Sequence, residues 1–269
     1  MIPPASPDTL SAMGRTSGRI CRGFRQLRNA PATWQLVRTL VIIQAVPVIW
    51  NLIIPPGANS PDKLSQAQTL LGLKTSNFLA GDFWQPFTYA LIHGNRLHLI
   101  VNAAAIVLLG CKIEHIVGKQ TVRLVALLAA LAGGLLFLLL TPYSNPDLET
   151  LVGSSAICLA FLVLLTTLAP ESRFLPVFVS GKSLGIGIIL ANLVFTLLNP
   201  ELPTGPLARF GAHLSENLFP GLFKVSHACH LGGALVGYIS GKYLLRPRVT
   251  IESLRHAREK RERKTLPKG

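Results

Sequence analysis

Residues 124–140 read "LVALLAALAGGLLFLLL", a run without one charged or hydrogen-bonding side chain. A helix that is apolar all round has no polar face to turn to water, so it belongs in a large core or in a bilayer. One run does not choose between the two, because a free-standing span needs about 20 residues. The rest of the chain does. Further runs lie near 39–55, 97–111, 155–169, 184–198 and 228–245, each bounded by charge, proline or glycine. In a chain of 269 residues, 49% hydrophobic and 14% charged, with mean hydropathy +0.45, six such helices leave too little polar surface to cover them. The fold class that follows is all-α, a polytopic membrane bundle of six transmembrane helices. Small residues such as Gly133–Gly134 and Ala103–Ala104–Ala105 allow close helix contact where no hydrophobic force drives association.

The net charge of +14 does not make a nucleic-acid binder, because the charge sits in tails and loops between apolar runs instead of on a folded polar surface. It reports topology. Twenty-one Lys and Arg fall before the first run, in the 2–3 and 4–5 loops and in the tail from Lys242, whereas five (Lys63, Lys74, Arg96, Arg209, Lys224) fall on the other side. The positive-inside rule then places both termini in the cytoplasm and the loops 56–96, 141–154 and 199–227 outside. Three parts are expected: a basic cytoplasmic segment 1–38, a six-span membrane domain 39–245 and a basic cytoplasmic tail 246–269, preferred as a plain topology anchor, with contact to anionic lipid as the alternative. Within the domain, the first outer loop, 56–92, is expected to anchor at the interface without forming a domain of its own.

The first 38 residues hold no apolar h-region, so no cleavable signal peptide is expected. They are Arg-rich and acid-poor, which makes a mitochondrial inner membrane the alternative to the bacterial cell inner membrane preferred here. Cys21, Cys111, Cys158 and Cys229 show neither paired nor metal-ligand spacing. No metal or other cofactor is expected.

Polar residues inside apolar helices are functional candidates. "LVGSSAICLA" (151–160) opens the fourth run with Ser154 and Ser155, "LIHGNRLHLIVN" (91–102) opens the second with His93 and His98, and "SHACHLGGALVGYISG" (226–241) opens the sixth with His227 and His230. The topology sets all three at one depth. A serine becomes a nucleophile when an imidazole takes its proton, and the same imidazole then protonates the leaving amine. Ser155 and His230 are the candidate pair. His98 and Asn102, four residues apart on one helical face, and the N–H groups that open the fourth helix are candidate oxyanion donors. No Asp or Glu accompanies the histidine, so a dyad is expected in place of a triad.

Gly153–Ala156 "GSSA", His98–Asn102 "HLIVN" and His230–Gly237 "HLGGALVG" resemble the G-x-S, H-x-x-x-N and H-x-x-G-x-x-x-G motifs of the rhomboid intramembrane serine proteases, in the same order and over roughly residues 35 to 245. "FWQPFTYALIHG" is similar to that family's approach to the second span. The resemblance implies Ser155 as nucleophile, His230 as general base, and His98, Asn102 and the Ser155 amide as oxyanion hole. It also implies that Gly153 permits a tight backbone before the serine, and that Gly233 and Gly237, with Gly241 continuing the spacing, bring the sixth helix against Ala156 and Ala160. Its implied activity is hydrolysis of a peptide bond in or near a transmembrane segment of a membrane protein, the substrate helix entering laterally past the fifth span and the 199–227 loop. Transmembrane proteins are the implied substrates and lipids the surroundings, with no nucleic acid.

Two positions depart from the family pattern. Many members have Trp-Arg where this chain has Trp84–Gln85, and some carry a tyrosine stacked on the histidine where this chain has Leu159. Ser154 and His227 read as helix-cap and interfacial groups, His93 as loop packing, and Cys158 as a small hydrophobe on the Ser155 face. The alternatives are an inactive rhomboid-like protein that binds membrane clients, and a small transporter; the latter would place ionisable groups near the bilayer midplane.

Overall fold

The computed structural model describes residues 29–55, 61–140, 150–174, 178–202 and 204–246, together with 254–256, 258 and 260. Residues 1–28 and most of the tail, which carry much of the charge asymmetry, lie outside the described residues. The chain forms α1 (Pro31–Ile53), α2 (Lys63–Leu71), α3 (Thr75–Leu79), α4 (Gln85–Thr88), α5 (Arg96–Val117), α6 (Lys119–Leu140), α7 (Ser155–Leu168), α8 (Gly181–Leu197), α9 (Pro206–Asn217) and α10 (His227–Leu244). Tyr89–Leu91 and Leu222–Lys224 are single 3-10 turns. A two-residue antiparallel ladder, β1 (Arg173–Phe174) on β2 (Val179–Ser180), closes the turn before α8.

Six helices correspond to the six apolar runs. By length and composition α1, α5 and α6 suffice to cross a membrane, while α7 and α8 are shorter apolar helices of 14 and 17 residues. The chain is a membrane protein with an all-α bundle. α7 sits at its centre, packed against α5, α6, α8 and α10, with Ala156, Ala160, Phe161, Val163 and Leu164 fully buried. Outer apolar side chains such as Ile42, Leu52, Leu97 and Leu139 stay exposed, as expected for residues that meet lipid.

Two boundaries differ from the sequence reading. α1 starts at Pro31 instead of near 39, because Glu114 reaches in from α5 and caps it. Its carboxylate accepts from the backbone N–H of Ala32 (3.0 Å) and Thr33 (2.9 Å) and from Thr33 Oγ1 (2.9 Å). The α1 N-cap, Ala30, makes no side-chain cap of its own, so an acid from another helix satisfies donors that a helix start leaves open. The 2–3 loop shrinks to Gly118, whose positive φ of 83° suits glycine. Lys112, Lys119 and Arg123 therefore sit on helix ends, where turns of α5 and α6 continue beyond the apolar runs.

The first outer loop folds as short helices laid on the bundle. Asp62 caps α2 by accepting from Ser65 N (2.9 Å), and this backbone hydrogen bond foremost holds its carboxyl below the usual range. The Trp84 indole donates to Leu70 O (2.9 Å). Gln85, fully buried, donates to Asp82 Oδ2 (3.2 Å) and Thr69 O (3.4 Å) and accepts from Lys74 N (3.1 Å). A neutral amide thus ties three parts of the loop together.

α7 positions the site through its length. Fourteen residues rise about 21 Å against a hydrocarbon core of about 30 Å. The helix that begins with Ser155 therefore cannot reach both surfaces, which leaves its first residue recessed at one end of the bundle.

Candidate active site

α5, α7 and α10 all start at the same end of the bundle, and their first turns carry the residues singled out in the sequence. Ser155 is the first residue of α7, so its N–H has no partner within the helix. His230 lies on the first turn of α10, and its Nε2 is 2.8 Å from Ser155 Oγ. Both side chains are half-buried. A neutral imidazole at that distance accepts the serine proton directly.

The glycines of α10 set the distance between the two helices. A Cβ added at Gly233 would run into the Ala156 carbonyl, and one at Gly237 into the Ala160 carbonyl. Gly241 instead faces Thr167 and Leu164, and Gly232 faces the backbone of Ala132 and Gly133 on α6. Without side chains at these positions, the backbones of α7 and α10 meet at van der Waals contact.

Asn95 caps α5 by accepting from His98 N (2.8 Å), and this starts the helix where His98 and Asn102 share a face. Asn102 is buried, and its Nδ2 has no hydrogen-bond partner. The other end of the same amide is held: the Cys158 thiol lies 3.7 Å from Asn102 Oδ1 and 3.6 Å from Asn102 O. Cys158 thus does more than fill space, since it faces the oxygen end of the amide and leaves the N–H end free. Gly153, with φ of 109°, passes beside both α5 residues. A Cβ there would sit 2.5 Å from His98 Cε1, 2.7 Å from His98 Nε2 and 3.5 Å from Asn102 Nδ2. Glycine is needed twice over, for its φ and for the space. The side chains of His98 and Asn102 converge next to the segment that leads into Ser155, an arrangement able to hold negative charge on an oxygen placed there.

Behind this lies a second polar layer. His93 is fully buried, with Nε2 3.2 Å from Ser154 Oγ and its ring edge-to-face with His98 at 5.1 Å. Burial first, and His98 second, push its imidazole down to about 4, in keeping with a neutral ring that accepts from Ser154. Ser154 is the α7 N-cap residue but makes no side-chain cap; its hydroxyl faces His93 instead, so the helix-cap reading does not hold. Gln44 of α1 clamps the His93 backbone at both ends, accepting from its N–H (2.9 Å) and donating to its carbonyl (3.3 Å). The sequence reading missed Gln44, although a lone amide in an apolar run carries the same signal as the histidines.

A cavity of about 700 Å³ opens over the Ser155–His230 pair, lined by these two and His98 and by the loop residues Val152, Glu201 and Val225. It is large enough for several residues of extended peptide. Among the described residues, no three His, Cys, Asp or Glu side chains come together as a metal-binding group.

A family model described as a Rhomboid domain matches residues 80–247. A comparison with curated proteins found no match.

Proposed function

The chain belongs to the rhomboid family, and from that premise we propose that it is an intramembrane serine endopeptidase working through a Ser155–His230 dyad. The observation that carries the proposal is the 2.8 Å approach of His230 Nε2 to Ser155 Oγ, beside a buried Asn102 Nδ2 with no partner.

In the mechanism proposed, Ser155 Oγ attacks the scissile carbonyl carbon while its proton passes to His230 Nε2. The carbonyl π pair moves to oxygen, and Asn102 Nδ2, His98 and the Ser155 N–H stabilise the resulting oxyanion. When the tetrahedral intermediate collapses, the C–N bond breaks and His230 returns its proton to the leaving amine. Water then attacks the ester under the same base and releases Ser155. The substrate class proposed is a membrane protein with a transmembrane segment whose end unwinds into the cavity, reached past α8 and the loop that follows it.

The setting proposed is a bacterial inner membrane. Both termini face the cytoplasm, the site faces the opposite side, and basic segments flank a six-span domain over residues 39–245. The test is cleavage of a single-span substrate by the purified protein in liposomes, compared with Ser155→Ala and His230→Ala. Cleavage by wild type and by neither variant, with all three folded, supports the reading. Equal cleavage by the variants contradicts it, and inertness of all three across several substrates favours client binding.

A further inference from the structure

His227 was expected to be an interfacial residue at the head of α10, but its surroundings are those of a joint. Its Nε2 lies 2.9 Å from the Leu222 carbonyl oxygen; a carbonyl only accepts, so this nitrogen carries a proton and donates it. Nδ1 lies 3.3 Å from the side-chain oxygen of Asn192 on α8, a hydrogen bond only when this nitrogen also carries a proton, because the amide oxygen accepts; the amide itself is tied to α8 through Nδ2 donating to Ile188 O (2.9 Å). Phe195 of α8 lies tilted against the imidazole at 4.9 Å, and Phe223 of the preceding loop packs edge-on at 6.0 Å. One hydrogen bond, to the Leu222 carbonyl, and close contacts with Asn192, Phe195 and Phe223, from two separate elements, restrict the orientation of this ring.

The ring so fixed packs against His230, perpendicular to it with centroids 6.1 Å apart. Leu159, one turn after Ser155, brings no ring to His230. We propose that His227 is a positioning residue for the general base: it holds the His230 imidazole in the rotamer that aims Nε2 at Ser155. The orientation of the base thereby depends on α8 and the 218–226 loop being docked. The inference rests on the protease reading above. Its physical basis is that a half-buried imidazole at a cavity wall has other rotamers available, each of which costs reaction probability, and a perpendicular aromatic neighbour removes them.

The experiment compares wild type with His227→Ala, His227→Phe and Asn192→Leu in two assays. One is cleavage of a single-span substrate, resolved into kcat and KM. The other is the rate at which a small fluorophosphonate modifies Ser155; here the Oγ–P bond forms, the P–F bond breaks with loss of fluoride, and the hydroxyl proton passes to the base. The second assay needs an oriented base but no docked substrate helix. The expected result is a fall of about 10-fold in both kcat and labelling rate for His227→Ala, with KM within about twofold. A smaller fall is expected for His227→Phe, which keeps a ring but loses the hydrogen bond to Leu222 O and the contact with Asn192. Asn192→Leu, which leaves α10 untouched, should fall in the same direction in both assays. Labelling at the wild-type rate in His227→Ala or Asn192→Leu, whatever happens to cleavage, overturns the inference and leaves His227 a role in substrate access alone. Absence of both cleavage and labelling in wild type overturns the protease reading instead.

Discussion

At Asn102 one amide has its two ends treated differently, its oxygen facing the Cys158 thiol and its nitrogen unpartnered in a buried site. An orphan buried donor costs about 1–3 kcal/mol in an ordinary core, so its persistence calls for a ligand that completes it. On the reading proposed, the oxyanion of the tetrahedral intermediate does so. Asn102→Ala is then expected to lower kcat by about 10²–10³-fold with KM little changed, measured as steady-state cleavage in liposomes. Gly153→Ala should fail for a different reason. Its methyl would sit 2.5 Å from His98 Cε1 at a φ of 109°, so both thermal stability and cleavage are expected to fall. Ser155, His230, His98 and Asn102 stood out as candidates in the sequence, because hydroxyls, imidazoles and amides are conspicuous in apolar helices, whereas Gly153 was pointed to only by the family resemblance. His227, Gln44 and Cys158 were equally visible as residue types, but what they do depends on contacts between helices, which spacing along one helix does not encode.

The elements show the same division. The six apolar runs located the six long helices, since each run needs a bilayer and each break needs water. What the runs could not locate were the ends, which polar capping decides. α1 reaches back to Pro31 because Glu114 accepts its first N–H groups, a contact made by a side chain more than 80 positions away in the sequence. Replacing that acid by leucine strands those donors and is expected to lower stability by about 1–3 kcal/mol, read as a fall in the thermal unfolding midpoint in detergent. The α7–α10 contact makes the complementary prediction. Gly233→Ala drives a methyl into the Ala156 carbonyl, so cleavage and stability should drop together as the helices part. Gly187 on α8 is the control: nothing lies within 4 Å of a Cβ added there. Gly187→Ala should leave cleavage unchanged and gain up to about 1 kcal/mol from helix propensity.

For the whole molecule, the reading proposed puts chemistry at one end of the bundle and the cytoplasm at the other. The distribution of Lys and Arg carries this expectation, and α5, α7 and α10 start at one level of the bundle. Cysteine introduced at Ser65 or His213 is expected to react with a membrane-impermeant maleimide added outside intact spheroplasts, and cysteine at Lys119 or Glu171 only after lysis; the reverse pattern contradicts the topology. If His230 makes Ser155 a nucleophile, as proposed, intact mass and peptide mapping of the purified protein after treatment with a fluorophosphonate read it out directly. One adduct is expected, on Ser155, and it is lost in His230→Ala while Ser154 stays unmodified. An adduct on another residue, or undiminished modification of Ser155 without His230, would contradict it.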